Sequence, residues 1–213
     1  ASLHEMALYI PTEGTFDAVN AKAFGNRPGQ LMVYRAPHGD AAMNKMVKFA
    51  QAGMPVIILD SVAYTIPKDD IDKTLKNVNK NNDNQKEERR IGGVARLMTE
   101  YLPVINHIVE TTGTTVILIN QVRDKMNAMM FGEKTDTPGG RSLKHACSVR
   151  IQVNRKGWIE VPNKDPRVTS TNAKIGLIIK GRTTKSKISN PHQDFEMPMI
   201  FGKGFVSFAD LPE

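Results

Sequence analysis

The chain has little of several things, and each shortage excludes something. It holds a single cysteine, Cys147, among 213 residues, so no disulfide can form within it and a reducing compartment is expected. Cys147 adjoins an apolar run and reads as a small buried hydrophobe rather than a nucleophile. No apolar run approaches the length needed to cross a bilayer, and the first residues carry no signal-peptide pattern. The expectation is therefore a soluble cytoplasmic protein with no membrane partner. No G-x-x-x-x-G-K-S/T stretch occurs; "FGKGF" near the end has the wrong spacing and no strand–helix context.

What is present is positive charge in one region. Residues 122–190 hold fifteen Lys and Arg against five Asp and Glu, a local charge of +10, while the rest of the chain sums to −3. Such concentration suits a polyanion such as nucleic acid, because lysines and arginines on phosphates release counterions. It equally suits a solvated surface kept for solubility.

Strand and helix patterns alternate over the first two thirds. Short strands are expected at 7–10, 31–34, 55–60 and 114–119, the last two continuous apolar runs. Helices are expected at 17–24 with Asp17 as N-cap, at 40–52 ending on Gly53, and at 93–110 with a kink at Pro103. Strands apolar on both faces, separated by helices, predict a mostly parallel α/β sheet. Another strand is expected at 147–153. The later runs at 174–180, 196–201 and 205–208 predict antiparallel strands extending the sheet at its C-terminal end. Residues 73–90, rich in Asn and Lys, read as a long loop, and 157–172 as a loop or hairpin tip.

Chemistry-bearing residues fall at strand ends, where ligands collect in open α/β sheets. Asp60 ends "VIILD" and Ser61 follows it. A carboxylate there fits a Mg²⁺ site acting through water, or a cap on the turn. Glu13 follows the first strand and could orient an attacking water, or could be a surface residue. Asn120-Gln121 follows the fourth, and an amide there can bond a phosphate oxygen or a water. Beyond Gln121 the chain exposes Met129-Met130-Phe131 between basic residues, passes through Thr-Pro-Gly-Gly and returns as a strand. That tip either meets something outside the chain or folds back on the domain.

The stretches "TEGTFDAVNAKAFG", "VIILDSVAYTIPKDDI", "GGVARLM", "VILINQVRDKMNAMMFG", "TPGGRSLKHACSVRIQVNRKG" and "LIIKGRTT" occur in an order and spacing that resemble the RecA family of homologous-recombination strand-exchange ATPases, its bacterial and phage branch in particular. The resemblance runs from Ala7 to about Phe208 and treats 1–213 as one RecA-like ATPase and DNA-binding core. It implies a DNA-dependent ATPase that uses ATP and Mg²⁺, assembles into a helical filament on single-stranded DNA, and pairs that strand with homologous double-stranded DNA.

The resemblance also implies roles. Glu13 is similar to the family's catalytic glutamate, Asp60 to its Walker B aspartate, and Gln121 to the glutamine that senses the γ-phosphate. Asp17 resembles a residue that the family places near the adenine; Asn20 stands where the family often has an aromatic. Lys180 and Arg182 resemble basic residues that reach a neighbour's ATP phosphates across the filament interface. Residues 122–141 resemble the second DNA-binding loop, with Met130 and Phe131 as an apolar wedge between bases, Gly139 and Gly140 against phosphates, and Arg123, Arg141 and Lys144 adding backbone contacts. The first loop falls between Pro67 and Gly92, with Arg96 at the following helix start and an Asn/Lys-rich expansion inside it. In the family a glycine-rich phosphate loop and a full helix precede the first strand, and "ASLHEM" resembles part of that helix, so the resemblance implies segments before Ala1, between Met6 and Ala7, and after Glu213. A RecA-fold replicative helicase and an ATPase-deficient DNA-binding accessory module are the two rivals.

Overall fold

The computed structural model describes residues 5–14, 16–27, 29–79, 88–124, 135–163 and 172–211. Met130 and Phe131 lie outside the described residues. The chain divides into two compact units, one of residues 1–16 and 27–146 and one of residues 17–26 and 147–213.

The first unit is built on four parallel strands: β1 (Ala7–Pro11), β2 (Leu31–Val33), β3 (Val56–Asp60) and β4 (Thr115–Ile119), in the order β2-β1-β3-β4. The register sets Leu8 beside Ile57 and Ile10 beside Leu59, and Leu59 beside Leu118. Successive side chains alternate between faces, so these residues share one face, and Leu8, Ile10, Ile57 and Leu59 are fully buried on it. Two helices cover that face. In α2 (Gly39–Gln51) the buried residues Ala42, Met43, Met46 and Ala50 recur at helical spacing. In α4 (Glu88–Thr112) Val94, Leu97, Met98, Leu102 and Ile105 do the same. Burying each large side chain contributes about 1.5–3 kcal/mol. The helix runs on through Pro103.

A short helix α3 (Lys68–Asn79) precedes α4, and α5 (Gly140–Ala146) packs against α4. A two-stranded ribbon, β5 (Arg123–Asp124) with β6 (Thr135–Asp136), stands between β4 and α5 in the chain.

The second unit contains α1 (Ala18–Ala23) and a separate antiparallel sheet of β7 (Val149–Pro162), β8 (Asn172–Ser186), β9 (Asp194–Ile200) and β10 (Gly204–Phe205), ordered β10-β9-β8-β7. Close approach fixes small residues here. A Cβ on Gly176 would meet the Met199 carbonyl oxygen at 2.2 Å, and one on Gly181 would meet the Phe195 ring at 2.1 Å.

Most expected elements are present within a residue or two, and three expectations are corrected. Residues 73–79 and 88–90 are helical rather than loop. Pro67 before the helix, Asp69 and Asp70 in its first turn and the Lys68–Asp72 pair at 3.6 Å favour α3 where an Asn/Lys-rich composition argued against order. The strand expected at 147–153 and the loop expected from 157 become one strand reaching Pro162, because pairing with β8 tolerates the register shifts near Gly157 and Ile159. The antiparallel strands form their own hydrogen-bonded sheet instead of extending the parallel one, and 208–210 closes as a 3₁₀ turn. Cys147 lies before β7 and is half-buried; burial pushes its thiol pKa up, partly offset by Arg150, Lys185 and Lys187.

Candidate functional site

Parallel strands point all their carboxyl ends the same way, so the residues after β1, β3 and β4 meet at one edge. There the Glu13 carboxylate accepts two hydrogen bonds on Oε1, from the Ser61 hydroxyl at 2.7 Å and from the Gln121 side-chain amide at 2.8 Å. One oxygen thus joins residues 48 and 108 positions away in sequence. Glu13, Asp60, Ser61 and Gln121, expected together from their strand ends, are together.

Two further residues build this edge. The Thr12 hydroxyl donates to the Ser61 carbonyl at 2.7 Å and accepts from the Ser61 N–H at 2.8 Å, locking the two turns to each other. Ser61 is 1% exposed, so these bonds are shielded from water. The Tyr9 hydroxyl donates to Asp60 Oδ2 at 2.5 Å. Tyr9 stands beside Ile58 in the register, two residues before Asp60 on the same face, which brings its long side chain to the carboxylate. Burial first, then the Asp60 hydrogen bond and the charges of Asp60 and Glu13, push the Tyr9 phenol up to about 12. Sequence reasoning passed over Tyr9 and Thr12. The signals were a tyrosine set among aliphatics in "ALYIP" and a threonine just before the glutamate.

The bonds on Glu13 fall on Oε1, which leaves Oε2 to act on a water. The Asp60 carboxylate fits a hard divalent cation that keeps most of its waters, whereas the Ser61 hydroxyl is buried and committed to Glu13. Among the described residues no group of three His, Cys, Asp or Glu is placed to hold a metal ion.

Beyond Gln121 the chain enters the ribbon. Arg123 pairs with Asp136 across β5 and β6, the Asn120 amide donates to the Pro138 carbonyl at 2.7 Å, and Lys144 reaches Asp136 at 2.8 Å. The two ends of the segment are therefore fastened side by side. Gly139 and Gly140 have φ of +100° and +70°, and a Cβ at either would press on Leu143 or Ala95 at 2.7 and 3.0 Å. Here the glycines serve the tight turn into α5 and its close packing. Arg141 is exposed on α5.

Arg96 is exposed on α4, in a cleft of about 460 Å³ that Asp70, Lys73, Gly92 and Gly93 also line. Lys73 and Asp70 carried no sequence signal.

Asp17, Lys180 and Arg182 belong to the second unit. Asp17 caps α1, its carboxylate accepting from the backbone N–H groups of Val19 at 2.8 Å and Asn20 at 3.2 Å. Lys180 and Arg182 both lie near Asp194, at 3.4 and 3.5 Å.

The model of the RecA N-terminal domain matches residues 2–206. The chain belongs to the RecA family. It is 31% identical over 209 residues to Protein RecA of Aquifex aeolicus, covering 98% of this chain and 54% of that protein. With Protein RecA of Deinococcus radiodurans the identity is 31% over 204 residues, covering 95% of this chain and 51% of the relative. The chain thus spans about half the length of the relatives it matches. The crystal structure of the RadB recombinase shares the fold, with a TM-score of 0.56 at 13% identity over 95% of this chain and 78% of that one. Among the described residues no helix is long and apolar enough to cross a membrane.

Proposed function

We propose that this chain carries the hydrolytic and DNA-gripping core of an ATP-dependent recombinase that assembles on single-stranded DNA and exchanges it with homologous double-stranded DNA. The observation that carries this reading is the bond from Gln121 to Glu13. It ties the end of β4, and so the base of the β5–β6 ribbon, to the Glu13 carboxylate.

Glu13 acts as general base through Oε2, with Ser61 and Gln121 holding Oε1 in place. Asp60, oriented by Tyr9, would hold the waters of a Mg²⁺ ion, which would supply charge for the ATP phosphates. A γ-phosphate competes for the Gln121 amide. Moving that amide shifts the fastened ends at 123–124 and 135–136 and so couples the nucleotide to the DNA-binding segment. Met130 and Phe131 insert between bases, while Arg96, Arg123, Arg141 and Lys144 hold phosphates. Lys180 and Arg182 stabilise transition-state charge on a neighbouring protomer's ATP, so hydrolysis follows filament assembly.

The test is Gln121→Ala in the intact protein, with single-stranded DNA affinity measured by fluorescence anisotropy with and without a slowly hydrolysed ATP analogue. The variant keeps nucleotide binding and loses the nucleotide-dependent gain in DNA affinity. A gain equal to that of the wild type refutes the coupling. Electron microscopy of the same mixture separates an open filament from the closed ring of a helicase.

A further inference from the structure

Lys180 and Arg182 stand two residues apart on β8 and point to the same face. Across the ladder Arg182 faces Asp194 and Lys180 faces Glu196. The Glu196 carboxylate, however, is taken by Lys156 from β7, at 2.7 Å. Lys180 and Arg182 are left to share Asp194, whose Oδ2 lies 3.4 Å from the lysine ammonium and whose Oδ1 lies 3.5 Å from the arginine Nε. Both contacts are longer than a good charge-assisted hydrogen bond. All three side chains are about half exposed. Arginine meets Asp194 through Nε. One carboxylate therefore half-neutralises two cations without tying either down.

We propose that Asp194 is a built-in competitor for the polyphosphate that Lys180 and Arg182 bind. This rests on the reading of that pair as phosphate-contacting. In a protomer without a neighbour the carboxylate turns the two cations onto their own sheet and screens them from stray anions. A phosphate chain presented across an interface carries more charge than one carboxylate and displaces it. Asp194 thereby sets the threshold at which the pair changes partners.

The probe is inorganic tripolyphosphate, titrated into the protein by calorimetry at low and at high salt. Asp194→Asn has the same shape without the charge. Removing one unit charge at about 4 Å in a water-like medium tightens binding about fivefold, or about 1 kcal/mol, at low salt. That advantage shrinks at high salt, since the groups are exposed. Asp194→Glu stays near the wild-type affinity, and Lys180→Ala placed on Asp194→Asn removes the gain. Unchanged or weaker binding by Asp194→Asn overturns the proposal, as does a gain that survives loss of Lys180. If Lys180→Ala and Arg182→Ala bind tripolyphosphate as the wild type does, the polyphosphate reading itself fails. Weakened binding in those two with no change in Asp194→Asn refutes only the competitor role. Trp158 fluorescence, from the same unit, checks that each variant is folded.

Discussion

Replacing Thr12 with valine isolates the strut that holds the site together. The side chain keeps its shape and exchanges a hydroxyl for a methyl. Two bonds go: the one from the Thr12 hydroxyl to the Ser61 carbonyl at 2.7 Å and the one from the Ser61 N–H to Thr12 at 2.8 Å. The carbonyl keeps a donor, since the Thr65 hydroxyl also reaches it at 3.0 Å. The N–H keeps none among the described residues, and Ser61 is 1% exposed, so water does not replace the lost partner. An orphaned buried amide costs about 1–3 kcal/mol and the second bond about 1 kcal/mol. A buried methyl returns about 0.8 kcal/mol. The net loss is about 2 kcal/mol, which lowers the melting temperature of a chain of this size by about 4–8 °C. Far-UV circular dichroism is the right assay, because α2 to α5 all lie in the first unit. Thr65→Val serves as the control: it removes one bond to a carbonyl that Thr12 still serves, and costs about 1 kcal/mol. A Thr12→Val melt within about 1 °C of the wild type would refute the reasoning, since the amide would then have found another partner.

The other predictions concern pH, packing and the loop. Burial and the Asp60 bond raise the Tyr9 phenol from 10.0 to about 12, so the protonated form is favoured in the folded state. Its contribution is present below pH 10 and lost as pH rises through about 12, and the denaturation midpoint of the wild type should fall more steeply across that window than that of Tyr9→Phe. Equal slopes would remove the link. Gly176→Ala puts a Cβ 2.2 Å from the Met199 carbonyl oxygen, so β8 and β9 must separate locally; a loss of about 1–3 kcal/mol is expected in urea titrations followed by Trp158 emission, and an unchanged midpoint would show that the pairing yields. Phe131→Ala should weaken single-stranded DNA binding about tenfold, the scale of one lost base-stacking contact. Undiminished affinity in anisotropy titrations would remove Phe131 from the interface.

The sequence alone determined the first-unit fold because its strands are short apolar runs separated by capped amphipathic helices. Such local patterns dictate element type before any tertiary contact forms. The carboxyl-end rule then placed Glu13, Asp60 and Gln121 at one edge, and the order of six short stretches carried the family. Composition misled at 73–79, where charge placement along α3 outweighed the Asn/Lys content. It misled again beyond Gly157, where β7 and β8 extend each other through register shifts that no single strand announces.

Only the tertiary structure decided how the site is held. Thr12 and Tyr9 act through bonds to residues 49 and 51 positions away, and Asp194 acts on Lys180 and Arg182 because β9 folds back on β8 in one register. A hydrogen bond or ion pair works over about 3 Å, and nothing in the local chain encodes which distant group will stand at that distance. Apolar periodicity is a property of the chain itself, whereas polar partnership belongs to the packed arrangement and is fixed only when strand order and register are.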